Sequence, residues 1–249
     1  MYTPVQTTSA INIQGLTKYH GNRPALRGLD LELRWGEVLS VFGPNGSGKT
    51  TLVKLVAGLA RATSGSIRIA GLNPEKSGMS VRRLLGVVTH QTFLYEDLTV
   101  LENLRFHARM YGIGDMDARI EEVSNTLDIT SYLSARVRTL SNGMQKRVSL
   151  TRAMLHHPRL LLFDEPEAGL DQEALNLVDI LLETHRFQGG TAIVTTHNVE
   201  RGINLADRVI ILSKGRKSYD TDGRALEPMT FRETYRKQTG VQPLPPQPC

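Results

Sequence analysis

The segment Leu29-Asp30-Leu31-Glu32-Leu33-Arg34 alternates apolar and charged side chains. Successive side chains on a strand point to opposite faces, so this pattern predicts a half-exposed strand of an antiparallel sheet. Val38-Leu39-Ser40-Val41-Phe42 is apolar at all but one position and predicts a buried strand that ends on Gly43. A helix is expected after it, over 51–60. Short apolar runs at 86–88, 160–163, 191–194 and 209–212 predict further buried strands, and helical patterns separate most of them. Strands alternating with helices predict an α/β fold whose mainly parallel sheet is covered on both faces, with an antiparallel β part near the N-terminus.

Between 99 and 157 the pattern turns helical. Leu101, Leu104, Ala108 and Tyr111 recur at three- and four-residue spacing, Gly112 and Gly114 end that helix, and 120–127 begins another. The reading is one domain over 1–240 with a helical subdomain, about 99–157, inserted in it. Pro243, Pro245, Pro246 and Pro248 make 241–249 an expected extended or disordered tail.

Composition narrows the class. The chain has 249 residues, 40% hydrophobic and 22% charged, which excludes collagen, mucin and wholly disordered chains. No run approaches the roughly 20 apolar residues that span a bilayer. Residues 1–14 carry no basic region followed by an apolar one, so no secretory signal is expected there. The only cysteine is Cys249, so neither a disulfide framework nor a Cys₄ zinc site can form, and a reducing, cytosolic compartment fits. The net charge of +5 suits anionic partners such as nucleotides, nucleic acid or lipid headgroups, or simply a soluble surface.

The candidate chemistry starts at Gly43-Pro44-Asn45-Gly46-Ser47-Gly48-Lys49-Thr50, which satisfies G-x-x-x-x-G-K-[ST] between a buried strand and a helix. Gly43, Gly46 and Gly48 let the backbone around Asn45 and Ser47 curl so that successive N–H groups face an anion. The helix opening at Thr50 and Thr51 adds its positive end. Lys49 can reach the β- and γ-phosphates, and the Thr50 hydroxyl can ligate Mg²⁺. Leu160-Leu161-Leu162-Phe163-Asp164-Glu165 is a buried strand ending in two carboxylates on opposite sides. Asp164 is expected in the Mg²⁺ shell, and Glu165 is expected to polarise a water in line with the γ-phosphate.

These residues resemble the nucleotide-binding subunit of an ABC transporter. Leu140-Ser141-Asn142-Gly143-Met144-Gln145 resembles the family signature L-S-G-G-Q, departing at Asn142 and Met144; on its own, Ser141-Asn142-Gly143 reads as a helix N-cap. The resemblance implies that Ser141 and Gly143 touch the γ-phosphate of ATP held by a partner subunit. It also implies that Gln91 is the Q-loop glutamine linking metal and attacking water, that Asp171 in Ala168-Gly169-Leu170-Asp171 lies at the dimer seam, and that His197 is the switch histidine. Tyr19, by itself a core or surface aromatic, falls where the family stacks adenine. The resemblance covers 11–214.

The resemblance further implies ATP and Mg²⁺ as cofactors, a second ATPase subunit in a homodimer, and a separate transmembrane permease at the cytoplasmic face of the membrane, with no nucleic acid. A soluble ABC ATPase acting on DNA or ribosomes is the rival, but Lys49 to Asp164 leaves no room for long heptad arms and there is one P-loop. A regulatory ATP-binding module is opposed by Glu165 and His197 being present. The stretches 89–106 and 196–209 resemble haem-exporter ATPase subunits of cytochrome c maturation; drug, lipid and polysaccharide exporters share much of this vocabulary.

Overall fold

The computed structural model describes residues 9–167 and 169–243. In chain order the elements are β1 (Ser9–His20), β2 (Arg23–Arg34), β3 (Val38–Phe42), α1 (Lys49–Val56), β4 (Ser64–Ile69), α2 (Gly78–Arg82), β5 (Leu85–Val88), α3 (Val100–Tyr111), α4 (Met116–Thr126), α5 (Asn142–Met154), β6 (Leu160–Asp164), α6 (Gln172–Phe187), β7 (Thr191–Thr195), α7 (Val199–Leu205), β8 (Arg208–Ser213), β9 (Arg216–Asp222) and α8 (Pro228–Thr239). Two short 3₁₀ turns, Thr130–Tyr132 and Val137–Thr139, lie between α4 and α5.

The alternating segment lies in β2, with Leu29, Leu31 and Leu33 buried and Asp30, Glu32 and Arg34 exposed. It pairs antiparallel with β1, and β4 pairs antiparallel on the other side of β1. The second sheet runs β5-β6-β7-β3-β8-β9. Its pairings are parallel except that of β8 with β9. Every position of β3, β6 and β7 is buried, which is why these strands read as mainly apolar runs without alternation.

Two cores flank this sheet. Leu160 and Leu162 of β6 face a core with Ile11, Leu31, Leu52 and Val56. Leu161 and Phe163 face the other, with Leu104, Val123, Val148 and Leu182. The sheet is therefore covered on both faces, as the strand–helix alternation predicts. A third cluster joins Phe42 to Val209, Phe231 and Tyr235, so α8 buttresses the end of β3.

Several boundaries differ from the sequence reading. The helix expected over 51–60 begins at Lys49 and stops at Val56, because Gly58 turns the chain with φ 69°. The helix expected over 120–127 already opens at Met116, where the Asp115 carboxylate accepts from Ala118 N–H at 3.3 Å. The composition reading gave no separate expectation for β1, β4, β9 or α8. No helix among the described residues is long and apolar enough to cross a membrane. Residues 1–8 and, within the expected tail, 244–249 lie outside the described residues.

Candidate active site

The loop from Gly43 to Gly48 carries the chain from β3 into α1 in a form that demands glycine. A Cβ on Gly43 (φ 155°) would lie 2.4 Å from Leu212 O and 2.5 Å from Ser47 Oγ. One on Gly48 (φ 112°) would lie 2.6 Å from Ala25 O. Asn45 and Gly46 form the exposed crest. Ser47 Oγ is buried and has no hydrogen-bond partner among the described residues, a state that costs about 1–3 kcal/mol unless an incoming group supplies a bond. Gly48 caps α1 without a side chain, so the first-turn N–H groups, followed by the half-buried Thr50 and Thr51, are available to an anion. The cradle fits a polyphosphate.

The floor of the cradle is a charged cluster. Lys49 Nζ donates to Gly43 O at 2.8 Å, lies 3.5 Å from Glu165 Oε1 and 3.4 Å from His197 Nε2. His197 Nε2 meets Glu165 Oε1 at 2.6 Å. Burial pushes the Lys49 ammonium below the ordinary lysine value, with the Glu165 charge opposing it. The hydrogen bond from the His197 ring holds the Glu165 carboxyl below the usual carboxylate range, against the effect of burial. Glu165 is thus an ionised acceptor, suited to orienting a water rather than to strong proton abstraction. Its backbone sits at φ 50°, held by N–H bonds to Thr195 O at 3.1 Å and Thr195 Oγ1 at 3.0 Å. Such a left-handed non-glycine residue costs on the order of 1–3 kcal/mol and persists because its neighbours over-determine it.

Asp164, one residue earlier, is buried and accepts from Thr195 Oγ1 at 2.7 Å. The two carboxylates therefore differ in partners, as opposite faces of a strand require. Mg²⁺ takes one or two protein oxygens and completes its octahedron from phosphates and water. The Thr50 hydroxyl and Asp164 are groups of that kind, and the residues present fit the ion.

The signature residues form a second group. Ser141 caps α5 by accepting from Met144 N–H at 3.3 Å, the N-cap geometry that its sequence suggests. A Cβ on Gly143 would lie 3.1 Å from Gly169 O, so signature and D-loop are adjacent within one chain. Asp171 caps α6 through Ala174 N–H at 2.8 Å and takes Arg147 Nη2 of α5 at 3.1 Å. The backbone bond to Ala174, with Arg147 adding, lowers the Asp171 carboxyl below its ordinary value. Among the described residues, no hydrogen bond or ion pair joins Ser141, Gly143 or Asp171 to the Lys49 cluster. Ala168 lies outside the described residues.

Gln91 and Tyr19 stand apart as well. Gln91 is exposed in a turn closed by Thr89 Oγ1, which accepts from Gln91 N–H at 3.1 Å and donates to Gln91 O at 3.0 Å. Tyr19 is 45% exposed and sits opposite Pro24 in the β1–β2 pair, one residue from the Ala25 that abuts Gly48. Sequence reasoning missed three residues. Arg147 links Asp171 to Asp128 and Glu173. Lys146 is buried, with Nζ donating to Thr89 O at 3.0 Å. Glu167 accepts from the switch segment. A third carboxylate in Asp164-Glu165-Pro166-Glu167 was the one signal in the sequence for the last of these.

With this geometry in hand, comparison with known proteins places the chain. Residues 26–168, more than half of it, match the family described as ABC transporter. It is 34% identical over 206 residues to the "Uncharacterized ABC transporter ATP-binding protein YdbJ" of Bacillus subtilis (strain 168), covering 82% of this chain and 67% of the relative. It is 33% identical over 210 residues to the "Nod factor export ATP-binding protein I" of Rhizobium meliloti, covering 84% of this chain and 63% of that protein. Among solved structures, the dimeric post-hydrolysis state of the ATP-binding cassette MJ0796 bound to ADP and Pi superposes with a TM-score of 0.79 at 26% identity, covering 87% of this chain and all of that one.

Proposed function

The chain belongs to the ABC transporter family and is an ATPase, and on that premise we propose that two copies sandwich ATP and drive a separate permease. The observation that carries this reading is the convergence of Lys49, Glu165 and His197 within 3.5 Å of one another. A P-loop ammonium, an ionised acceptor and an imidazole then surround the position of a γ-phosphate. Lys49 and the backbone cradle hold the phosphates, Thr50 and Asp164 share the Mg²⁺ shell with Gln91 as metal link, and Glu165 orients the attacking water. His197 contacts the γ-phosphate, and Tyr19 stacks on the base. Mg²⁺, when bound, neutralises phosphate charge.

Ser141, Gly143 and Asp171 lie in a separate group, so they complete the site on a second copy, placing an N-cap hydroxyl and a helix N-terminus at that copy's γ-phosphate. Substituting Ser141→Arg tests this: ATP should still bind while turnover fails, and mixing with Lys49→Ala should restore little activity. Full activity from Ser141→Arg alone would remove the composite site.

The permease reading is supported by an aromatic patch beside the Q-loop. Phe93, Tyr95, Phe106 and Met110 are between 37% and 57% exposed. Tyr95 N–H and C=O are clamped by buried Asn103 at 2.8 and 3.0 Å, so an exposed ring is presented on a fixed backbone. That is the composition of an interface core. It would hold the chain peripherally at the cytoplasmic face of the membrane. Export of haem for cytochrome c maturation is the finer reading, supported by the resemblance of 89–106 and 196–209. Replacing the gene by a Glu165→Gln form and staining covalent c-type cytochromes for haem tests it. Normal staining, with no paralogue present, would move drug, lipid or polysaccharide export ahead.

A further inference from the structure

Glu167 has no part in the roles assigned above, yet it touches the segment that carries the imidazole. A single oxygen, Oε1, accepts from Thr196 Oγ1 at 2.5 Å and from His197 N–H at 3.3 Å. Thr196 is buried, and its Oγ1 accepts from Asn198 N–H at 3.0 Å. Asn198 caps α7 by accepting from Arg201 N–H at 3.0 Å. One unbroken series of bonds thus runs from the loop after β6 to the first turn of α7, with His197 inside it. Only Thr196, His197 and Asn198 separate β7 from α7, so rotation about their backbone would swing the ring away from Glu165. The charge of Glu167 also acts on both buried ammoniums nearby, Lys49 and Lys146.

We propose that Glu167 is a positioning residue whose Oε1 fixes the Thr196–His197 backbone so that the His197 ring meets Glu165 and the γ-phosphate. The proposal rests on the hydrolytic reading of Glu165 and His197. Because one acceptor oxygen makes both bonds, the amide oxygen of glutamine can replace it, whereas alanine cannot.

Steady-state ATP hydrolysis by the full chain separates the possibilities. Glu167→Ala should lower kcat about tenfold or more while KM for ATP moves less than about twofold, since misplacing a reacting group is felt in turnover. Glu167→Gln should stay within about threefold of the parent, and Glu167→Ala placed on His197→Ala should add less than about twofold, because both changes act through one ring. Thr196→Val, which removes the donor instead of the acceptor, should shift kcat in the same direction and serves if Glu167→Ala fails to fold. Parental kcat in Glu167→Ala, glutamine as slow as alanine, or a fully multiplicative loss on His197→Ala overturns the proposal while leaving His197 in place. Parental kcat in His197→Ala overturns the His197 reading itself, and the proposal with it.

Discussion

The phosphate end of the sheet and the helical layer with its flanking turns, over 93–156, solve the problem of buried polar groups in opposite ways. Around Lys49 the charges face one another: ammonium, carboxylate and imidazole lie within 3.5 Å, and Asp164 is bonded to Thr195. In the helical layer two histidines are instead buried and neutral. Burial drives both His107 and His156 down to about 4, and Arg152 beside them down to about 10. Arg152 has no carboxylate partner among the described residues; it donates to Val87 O at 2.6 Å and lies over the Phe93 ring at 5.5 Å. The first region is poised to exchange its internal contacts for those of an anion. The second is held by packing and presents aromatic rings outward. Chemistry common to all nucleotides fits the first, whereas the second leaves half-exposed aromatic rings on its surface.

The sharpest way to break this contrast is at Lys49. Lys49→Ala deletes a point charge that backbone N–H groups cannot replace. Hydrolysis should fall by about 10³-fold or more and ATP binding should weaken, with the same substitution elsewhere on α1 doing neither. Unchanged turnover in a pure sample would sink the P-loop assignment. Glu165→Gln comes next. It keeps the size and most of the hydrogen bonding, so ATP should still bind while turnover drops by about 10²-fold or more. Size-exclusion with ATP should then reveal an accumulated dimer; a monomer that hydrolyses normally would remove Glu165 from the chemistry.

The unequal legibility of the two regions has a physical cause. Phosphate binding fixes residue type at fixed spacing, so 43–50 and the carboxylates after Phe163 could be read directly, as could β3, β6 and β7, whose full burial leaves only Ser40, Asp164, Thr191 and Thr195 as polar positions. Glu167 acts on the switch segment 29 positions away in sequence, and nothing local marks such a bond. β1 escaped because its burial is irregular, with register shifts along both pairings. β9 is half-exposed throughout, and α8 is amphipathic through only Phe231 and Tyr235. The convergence of Lys49, Glu165 and His197 follows from the strand order, in which β6, β7 and β3 are adjacent.

The neutral histidines make a prediction of intermediate size. In the unfolded chain each binds a proton near pH 6.5, whereas in the folded chain each waits until about 4. Between those values the unfolded state holds more protons, so stability is intact above pH 6.5 and is lost as pH falls toward 4. The loss between pH 6.5 and 5 should be on the order of 2 kcal/mol per histidine. Urea unfolding across that range should show it. His156→Phe keeps a ring stacked on Tyr111, which lies 3.8 Å away and parallel, and removes one titration, so its profile should be flatter. A profile as steep as the parent's would show that His156 is already protonated when folded.

The smallest expected effect lies on the outer face of the helical layer. Tyr95 and Phe106 pack edge to face, with centroids 5.1 Å apart, and remain 50% and 39% exposed. A fully buried aromatic costs about 3–5 kcal/mol on truncation, whereas an edge-to-face pair adds about 0.5–1.5 kcal/mol beyond the area it buries, and here only about half of each ring is buried. Asn103 holds the Tyr95 backbone through both its N–H and its C=O, so changing the ring leaves the loop where it was. Changing Tyr95 and Phe106 together to serine should therefore lower unfolding stability by about 1–2 kcal/mol, far less than truncating two core aromatics. If the patch docks a permease, the same double change should release the chain from washed membranes that retain the parent. A loss of several kcal/mol would mean that the rings belong to the core and the patch reading is wrong. Retention on membranes at near-parental stability would mean that this patch docks no membrane partner, and the contrast between an inward-satisfied centre and an outward-facing layer would lose its functional half.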